Sequence, residues 1–201
     1  MNRRPFHIGV DLDNTLVDYG PVYAAESVRL GAVRAADRCS VRDAIRTEDE
    51  DRWQEFQAYL YTEGLGSAVP SAMSTEFLRA AALSGCKLSI LSHKTVRTPE
   101  RFGGALLREP AIAWLAQHGI SPGLVATDDV HFFATRDEKV QAIRSSSLDW
   151  FIDDLPEVLE HQAFPASTVG WLFDPDGGRR SSRHVDFAAL IVLLAERLAS
   201  C

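Results

Sequence analysis

Ile8-Gly9-Val10-Asp11-Leu12-Asp13-Asn14-Thr15-Leu16-Val17-Asp18 is an apolar run that ends in two carboxylates two residues apart. Side chains alternate along a strand, so Asp11 and Asp13 share a direction if the strand continues, and the Asn14-Thr15 pair behind them favours a turn. This places two acidic side chains at a strand end. Crowded carboxylates repel, and one takes up a proton unless a hard divalent cation such as Mg²⁺ satisfies both through oxygen. An EF-hand reading fails, because Thr15, Leu16 and Val22 stand where that calcium loop needs Asp or Asn, Gly and Glu.

Working outward, residues 19–83 have helix-forming composition, with Trp53, Phe56, Tyr59 and Leu60 at helical spacing. These aromatics are read as the core of an insertion, and Glu48-Asp49-Glu50-Asp51 as a solvated first helical turn favoured by the helix dipole. From Lys87 onward, short apolar runs alternate with helical stretches, the pattern of a parallel sheet built from βα units. Strands are expected at Lys87–Leu91, Val130–Phe133, Trp150–Ile152 and Thr168–Phe173. Helices are expected at Ala105–His118, Asp137–Ser145, Pro156–His161 and Val185–Ala199. With the first strand this gives an α/β fold, a Rossmann-like parallel five-stranded sheet. Its core comprises residues 1–18 and 84–201, and residues 19–83 form a small, mostly helical cap insertion at the carboxyl ends of the strands, where open α/β sheets place their ligands.

Three further features fall at that edge. Ser92-His93-Lys94 closes the second strand, where a hydroxyl and neighbouring backbone N–H groups suit phosphate oxygens. Lys139 lies in a helix leading into the fourth strand, placed to neutralise a phosphate. Asp153-Asp154 ends that fourth strand as a second acidic pair. Arg97, Arg101, Arg179 and Arg180 are read as exposed loop charges.

Taken together these residues resemble the haloacid dehalogenase superfamily, whose four motifs occur here in order. DxDxT is Asp11-Leu12-Asp13-Asn14-Thr15, the Ser or Thr after a strand is Ser92, the lysine is Lys139, and the late acidic pair is Asp153-Asp154. Asp13 makes the chain similar to the phosphatase branch, and an insertion directly after the first motif resembles the family's C1 cap. The resemblance implies an Mg²⁺-dependent phosphatase acting on a small phosphorylated metabolite of the sugar-phosphate or nucleotide class. It implies that Asp11 attacks phosphorus to form an aspartyl-phosphate and that Asp13 moves the proton. Mg²⁺ would be held by Asp11, the backbone carbonyl of Asp13, Asp153 and Asp154, while Ser92, His93, Lys94 and Lys139 form the phosphate-binding set. A phosphomutase or phosphotransferase would use the same residues, and a non-catalytic phosphate-binding module is a third reading, against which Asp13 argues. Receiver domains carry their acidic pair early and their acceptor Asp later, the reverse of the order here.

The net charge of −7 over 201 residues disfavours nucleic-acid polymers and anionic membranes as partners. Cys39, Cys86 and Cys201 are odd in number and scattered, which fits a reduced, cytoplasmic chain without disulfide or zinc framework. No apolar stretch approaches the roughly 20 residues of a membrane span.

Overall fold

The computed structural model describes residues 4–29, 41, 44–47, 49–174 and 184–200. β1 (His7–Val10) is buried along its whole length and runs parallel between β4 (Lys87–His93) and β6 (Trp150–Asp153). β5 (Val130–Phe133) flanks β4, and β7 (Val169–Phe173) flanks β6. All five expected strands are therefore present and parallel. A sixth, β8 (His184–Val185), adds a two-residue edge beside β7, giving the order β5-β4-β1-β6-β7-β8. The apolar runs 8–10 of β1 and 150–152 of β6 suit strands covered on both faces.

Two strands run further than their apolar runs suggest. Ser92 and His93 pair with Phe132 and Phe133, and Asp153 pairs with Leu172, so both polar ends lie within the ladder. Hydrogen bonding to a neighbour, which hydropathy does not report, sets the strand end.

After β1 the chain turns back. Asn14 adopts a left-handed φ of 60°, Val17 N donates to Leu12 O (2.9 Å), and β2 (Val17–Asp18) begins. β2 pairs antiparallel with β3 (Val69–Pro70), and Ser71 N donates to Leu16 O (2.9 Å) just beyond the ladder. This clasp joins the two ends of the intervening segment. Within it lie α1 (Gly20–Arg29), α2 (Glu50–Leu60) and a 3₁₀ turn at Glu63–Ser67. Tyr23 and Trp53 meet Phe56 at ring-centroid distances of 5.6 and 5.9 Å, forming the core expected of the insertion. Tyr59 departs from that expectation, being 45% exposed. Asp49 caps α2 by accepting from Asp51 N (2.8 Å), and Glu50 and Asp51 occupy its first turn, as the dipole favours. Glu48, Cys39, Cys201, Arg179 and Arg180 lie outside the described residues.

α3 (Ser74–Leu83), which the composition groups with the insertion, packs instead under the sheet. Phe77, fully buried, meets Phe187 of α7 (Phe187–Ala199) at 5.5 Å. An amphipathic helix has the same pattern whether it covers a sheet or belongs to a cap, so periodicity alone does not tell the two apart. α4 (Arg108–Gln117) begins after Ala105, because Thr98 N donates to Ala105 O and Leu107 N to Val96 O, forming a hairpin-like loop. α6 (Pro156–Leu159) carries Pro at its first turn and stops two residues before His161. α7 begins at Phe187 because Asp186 is its N-cap and Val185 belongs to β8. Among the described residues no helix is long and apolar enough to cross a membrane.

α5 (Arg136–Ser145) opens with a capping box: Thr135 Oγ1 accepts from Glu138 N (3.1 Å), and Glu138 Oε2 accepts from Thr135 N (3.4 Å). The cap fixes the first turn, from which Lys139 projects inward. Thr135→Ala is expected to cost about 1 kcal/mol of stability in urea unfolding.

Candidate active site

Val10 and Ile152 are register partners on adjacent parallel strands, so the next residues, Asp11 and Asp153, emerge side by side at the carboxyl edge. Asp11 N continues the ladder by donating to Ile152 O (2.9 Å). α5, which leads into β6, delivers Lys139 between the two carboxylates. Its Nζ lies 2.5 Å from Asp11 Oδ1 and 2.6 Å from Asp153 Oδ2. All three side chains are buried, as is Asp154. Leu155 N donates to Asp153 Oδ1 (2.9 Å), which holds that carboxylate from the other side.

Asp11, Asp153 and Asp154 each offer a carboxylate oxygen within 4.8 Å of the others. Burial, with the charges of Asp153 and Asp154, pushes the Asp11 carboxyl well above the usual range against the pull of Lys139. Burial alone lowers a lysine; here the charges and hydrogen bonds of Asp11 and Asp153 outweigh it and raise Lys139. With all three carboxyls ionised, one ammonium would leave two negative charges in a buried cluster of hard oxygen donors, which is the cost that pushes Asp11 upward. A divalent cation is the complement that this donor set calls for.

Asp13 takes a separate place. Its carboxylate is not one of the three clustered above, and the chain folds back just behind it through the left-handed Asn14. Tyr19 donates its hydroxyl to Asp13 Oδ1 (2.7 Å), and Lys94 Nζ forms an ion pair with Asp13 Oδ2 at 2.8 Å. The two acidic residues of the first motif thus each have their own buried lysine. Tyr19 itself is buried, and its hydroxyl is pushed well above the usual range by burial and by the Asp13 charge.

Ser92 is buried at the end of β4, and its hydroxyl has no hydrogen-bond partner among the described residues; the Thr15 hydroxyl is in the same state. Orphaned buried hydroxyls are costly, and an ordered water or a ligand completes them. His93 differs from its neighbours: it is exposed, and its Nε2 donates to Ala134 O (3.1 Å), away from the carboxylates. Lys94 is held through its backbone, with N donating to Phe133 O (2.9 Å) and O accepting from Arg108 Nε (3.0 Å). Its Nζ lies 4.4 Å from the centre of the Tyr61 ring, which belongs to the inserted segment. Arg97 closes its own loop on Gly104 O (2.8 Å), whereas Arg101 reaches α2 at Gln54 (2.5 Å) and Asp51 (3.4 Å).

Sequence spacing did not single out Tyr19 or Tyr61, because both meet the site through the backward turn after Asp13. The available signal for Tyr19 was an aromatic hydroxyl immediately beyond the first motif, at the start of the insertion.

No family model and no curated protein matches the chain. Solved structures do match, over nearly its full length. A haloacid dehalogenase family hydrolase from Deinococcus radiodurans, solved with bound phosphate and sodium, is 16% identical and covers 96% of each chain with a TM-score of 0.60. The fold is that of the haloacid dehalogenase superfamily. A superfamily hydrolase from Ehrlichia chaffeensis (12% identical, 98% of each chain, TM-score 0.54) shares the haloacid dehalogenase fold. So does a predicted phosphoglycolate phosphatase from Haemophilus somnus (16% identical, 96% of this chain and 100% of that one, TM-score 0.53). On this fold the three clustered carboxylates lie at the carboxyl ends of the central strands, where parallel α/β sheets bind ligands.

Proposed function

We propose that the chain is an Mg²⁺-dependent phosphatase that hydrolyses a small cytosolic phosphomonoester through an aspartyl-phosphate on Asp11. The observation that carries this reading is the buried set of Asp11, Asp153 and Asp154 joined by Lys139, at the end of the central strand. Asp11, Asp153 and Asp154, with the backbone carbonyl of Asp13, would hold the ion. Bound there, Mg²⁺ would supply the positive charge that lets a dianionic phosphate approach a carboxylate.

Asp11 attacks phosphorus, and the ester oxygen leaves with a proton from Asp13. Asp13 then takes a proton from water, which attacks phosphorus and releases inorganic phosphate and the Asp11 carboxylate. The Ser92 hydroxyl and Lys139 hold phosphoryl oxygens. Tyr19 fixes one oxygen of Asp13, so that the proton moves from a carboxylate of set orientation. The two carboxylates of the motif perform different tasks because their surroundings differ: Asp11 sits in the acidic cluster, Asp13 between a phenol and an ammonium.

Size supports a cooperative site. Phosphate-monoester hydrolysis calls for up to about 10²¹-fold acceleration, and a single general acid contributes only about 10²–10⁴. Charge stabilisation by the ion, Lys139 and backbone amides supplies most of the remainder. We assign the segment between β2 and β3, with α1 and α2, to a cap over this edge, and its contacts through Tyr19 and Tyr61 support that assignment.

The reading is tested by a phosphate-release screen over sugar phosphates, nucleoside monophosphates and small phosphorylated acids, with Mg²⁺ and with chelator. The expected result is Mg²⁺-dependent release from a narrow group of small esters. Inactivity on every ester would overturn it, as would release unaffected by chelator.

A further inference from the structure

We propose that Lys94 recognises a second negative charge on the leaving portion of the substrate, a carboxylate or a second phosphate close to the ester oxygen. The inference rests on the phosphatase reading above and extends it to substrate class. The Lys94 side chain is only 2% exposed. Its ammonium has three N–H donors, yet it meets Asp13 as an ion pair without hydrogen-bonding geometry, and no other acceptor among the described residues reaches it. The face of Tyr61 offsets part of the charge and accepts no directed hydrogen bond of ordinary strength. A buried cation with open donors is incomplete without an acceptor.

Position decides where that acceptor belongs. Asp13 has two oxygens, and both are engaged: Oδ1 by the Tyr19 hydroxyl, Oδ2 by Lys94. A leaving oxygen must displace one of them to meet the proton. Tyr19 is short, ring-bound and buried, whereas Lys94 has a flexible four-carbon stem on a backbone pinned at both N and O. Lys94 is therefore the group that moves. When it leaves Asp13 it remains buried, and a buried ammonium separated from its carboxylate needs another anion. Atoms attached to a leaving oxygen at Asp13 would be the part of the substrate nearest Lys94, whose ammonium lies over Tyr61 of the inserted segment. A neutral hydroxyl fills a donor without replacing the lost charge, so an anionic leaving group is favoured.

Inert phosphonates separate recognition from turnover. Calorimetric titration in Mg²⁺ compares 3-phosphonopropanoate, propane-1,3-diyl bisphosphonate and 3-hydroxypropylphosphonate, whose end group is neutral. Wild-type protein is expected to bind at least one of the first two about tenfold to hundredfold tighter than the third, the range for a charged hydrogen bond. Which of the two it favours distinguishes a carboxylate from a second phosphate. In Lys94→Met the preference is expected to collapse to within about threefold, and Lys94→Arg is expected to keep part of it. Equal affinity of wild type for charged and neutral end groups would overturn the proposal, whatever the variants do. So would a Lys94→Met protein that weakens all three equally, which would place Lys94 on the phosphoryl group. A Lys94-dependent preference in a protein inactive on every ester of the release screen would remove the hydrolase reading and, with it, the leaving-group role, leaving Lys94 as a site for a second anion on a bound ligand.

Discussion

Asp11→Asn is expected to yield a folded protein whose Mg²⁺-dependent phosphate release falls by about 10³-fold or more, the scale seen when a covalent nucleophile is removed. An amide keeps the shape and one oxygen for Lys139 but cannot displace an ester oxygen from phosphorus. The fold should not suffer. In the absence of metal, Asp11, Asp153 and Asp154 crowd three carboxylates around one ammonium, and burial together with its acidic neighbours already pushes the Asp11 carboxyl upward. Replacing it with a neutral group relieves that repulsion, so the thermal midpoint measured in chelator should stay level or rise. Sites that bind substrate at a cost in stability behave in this way. Undiminished release by Asp11→Asn would remove Asp11 from the nucleophile's role.

Lys139→Met is expected to have the opposite signature, losing both activity and stability. The ammonium touches two buried carboxylates at 2.5 and 2.6 Å, and deleting one partner of a buried pair typically costs about 3–5 kcal/mol because the remaining charges stay buried and uncompensated. The methionine chain keeps most of the volume against Phe151, whose ring centre lies 5.5 Å from Nζ, so packing is not the main loss. A divalent cation compensates the same charges. Mg²⁺ at about a hundred times its Kd should therefore restore about 2.7 kcal/mol to the folded state. Urea unfolding of wild type and variant, each with Mg²⁺ and with chelator, checks both parts. A variant as stable as wild type in chelator would contradict the electrostatic account of the cluster.

The sequence was informative wherever local pattern and final structure obey the same rule. β1 and β6 carry apolar runs and are buried along their length, β5 and β7 are partly buried strands flanking them, and α5 begins where Thr135 and Glu138 form a capping box. Asp11, Asp153 and Asp154 converge because parallel strands align their carboxyl ends, and Lys139 joins them because its helix precedes β6. Asp13 was legible as a residue but not as a location. Strand alternation says nothing of the fold-back through Asn14 to Leu12, behind which Tyr19 and Lys94 meet its carboxylate. His93 and Lys94 are adjacent in sequence, yet one is exposed on Ala134 O and the other is buried against Asp13. That divergence follows from the alternation of side chains at the end of β4 and from what stands on each side, which neighbouring strands and the insertion decide. The packing of α3 was hidden for the same reason: the helix is amphipathic, and its partner, Phe187, lies more than a hundred residues away in the sequence.

The central claim is that Asp11 receives the phosphoryl group. Acid-quenched single turnover with a ³²P-labelled ester identified in the release screen, followed by peptide mapping, tests it most directly. The account predicts hydroxylamine-labile label on the peptide that contains Asp11, formed and lost at rates consistent with turnover, and absent from Asp11→Asn. Rapid Mg²⁺-dependent turnover with label on a different residue, or with no protein-bound label under conditions that preserve acyl phosphates, would contradict it.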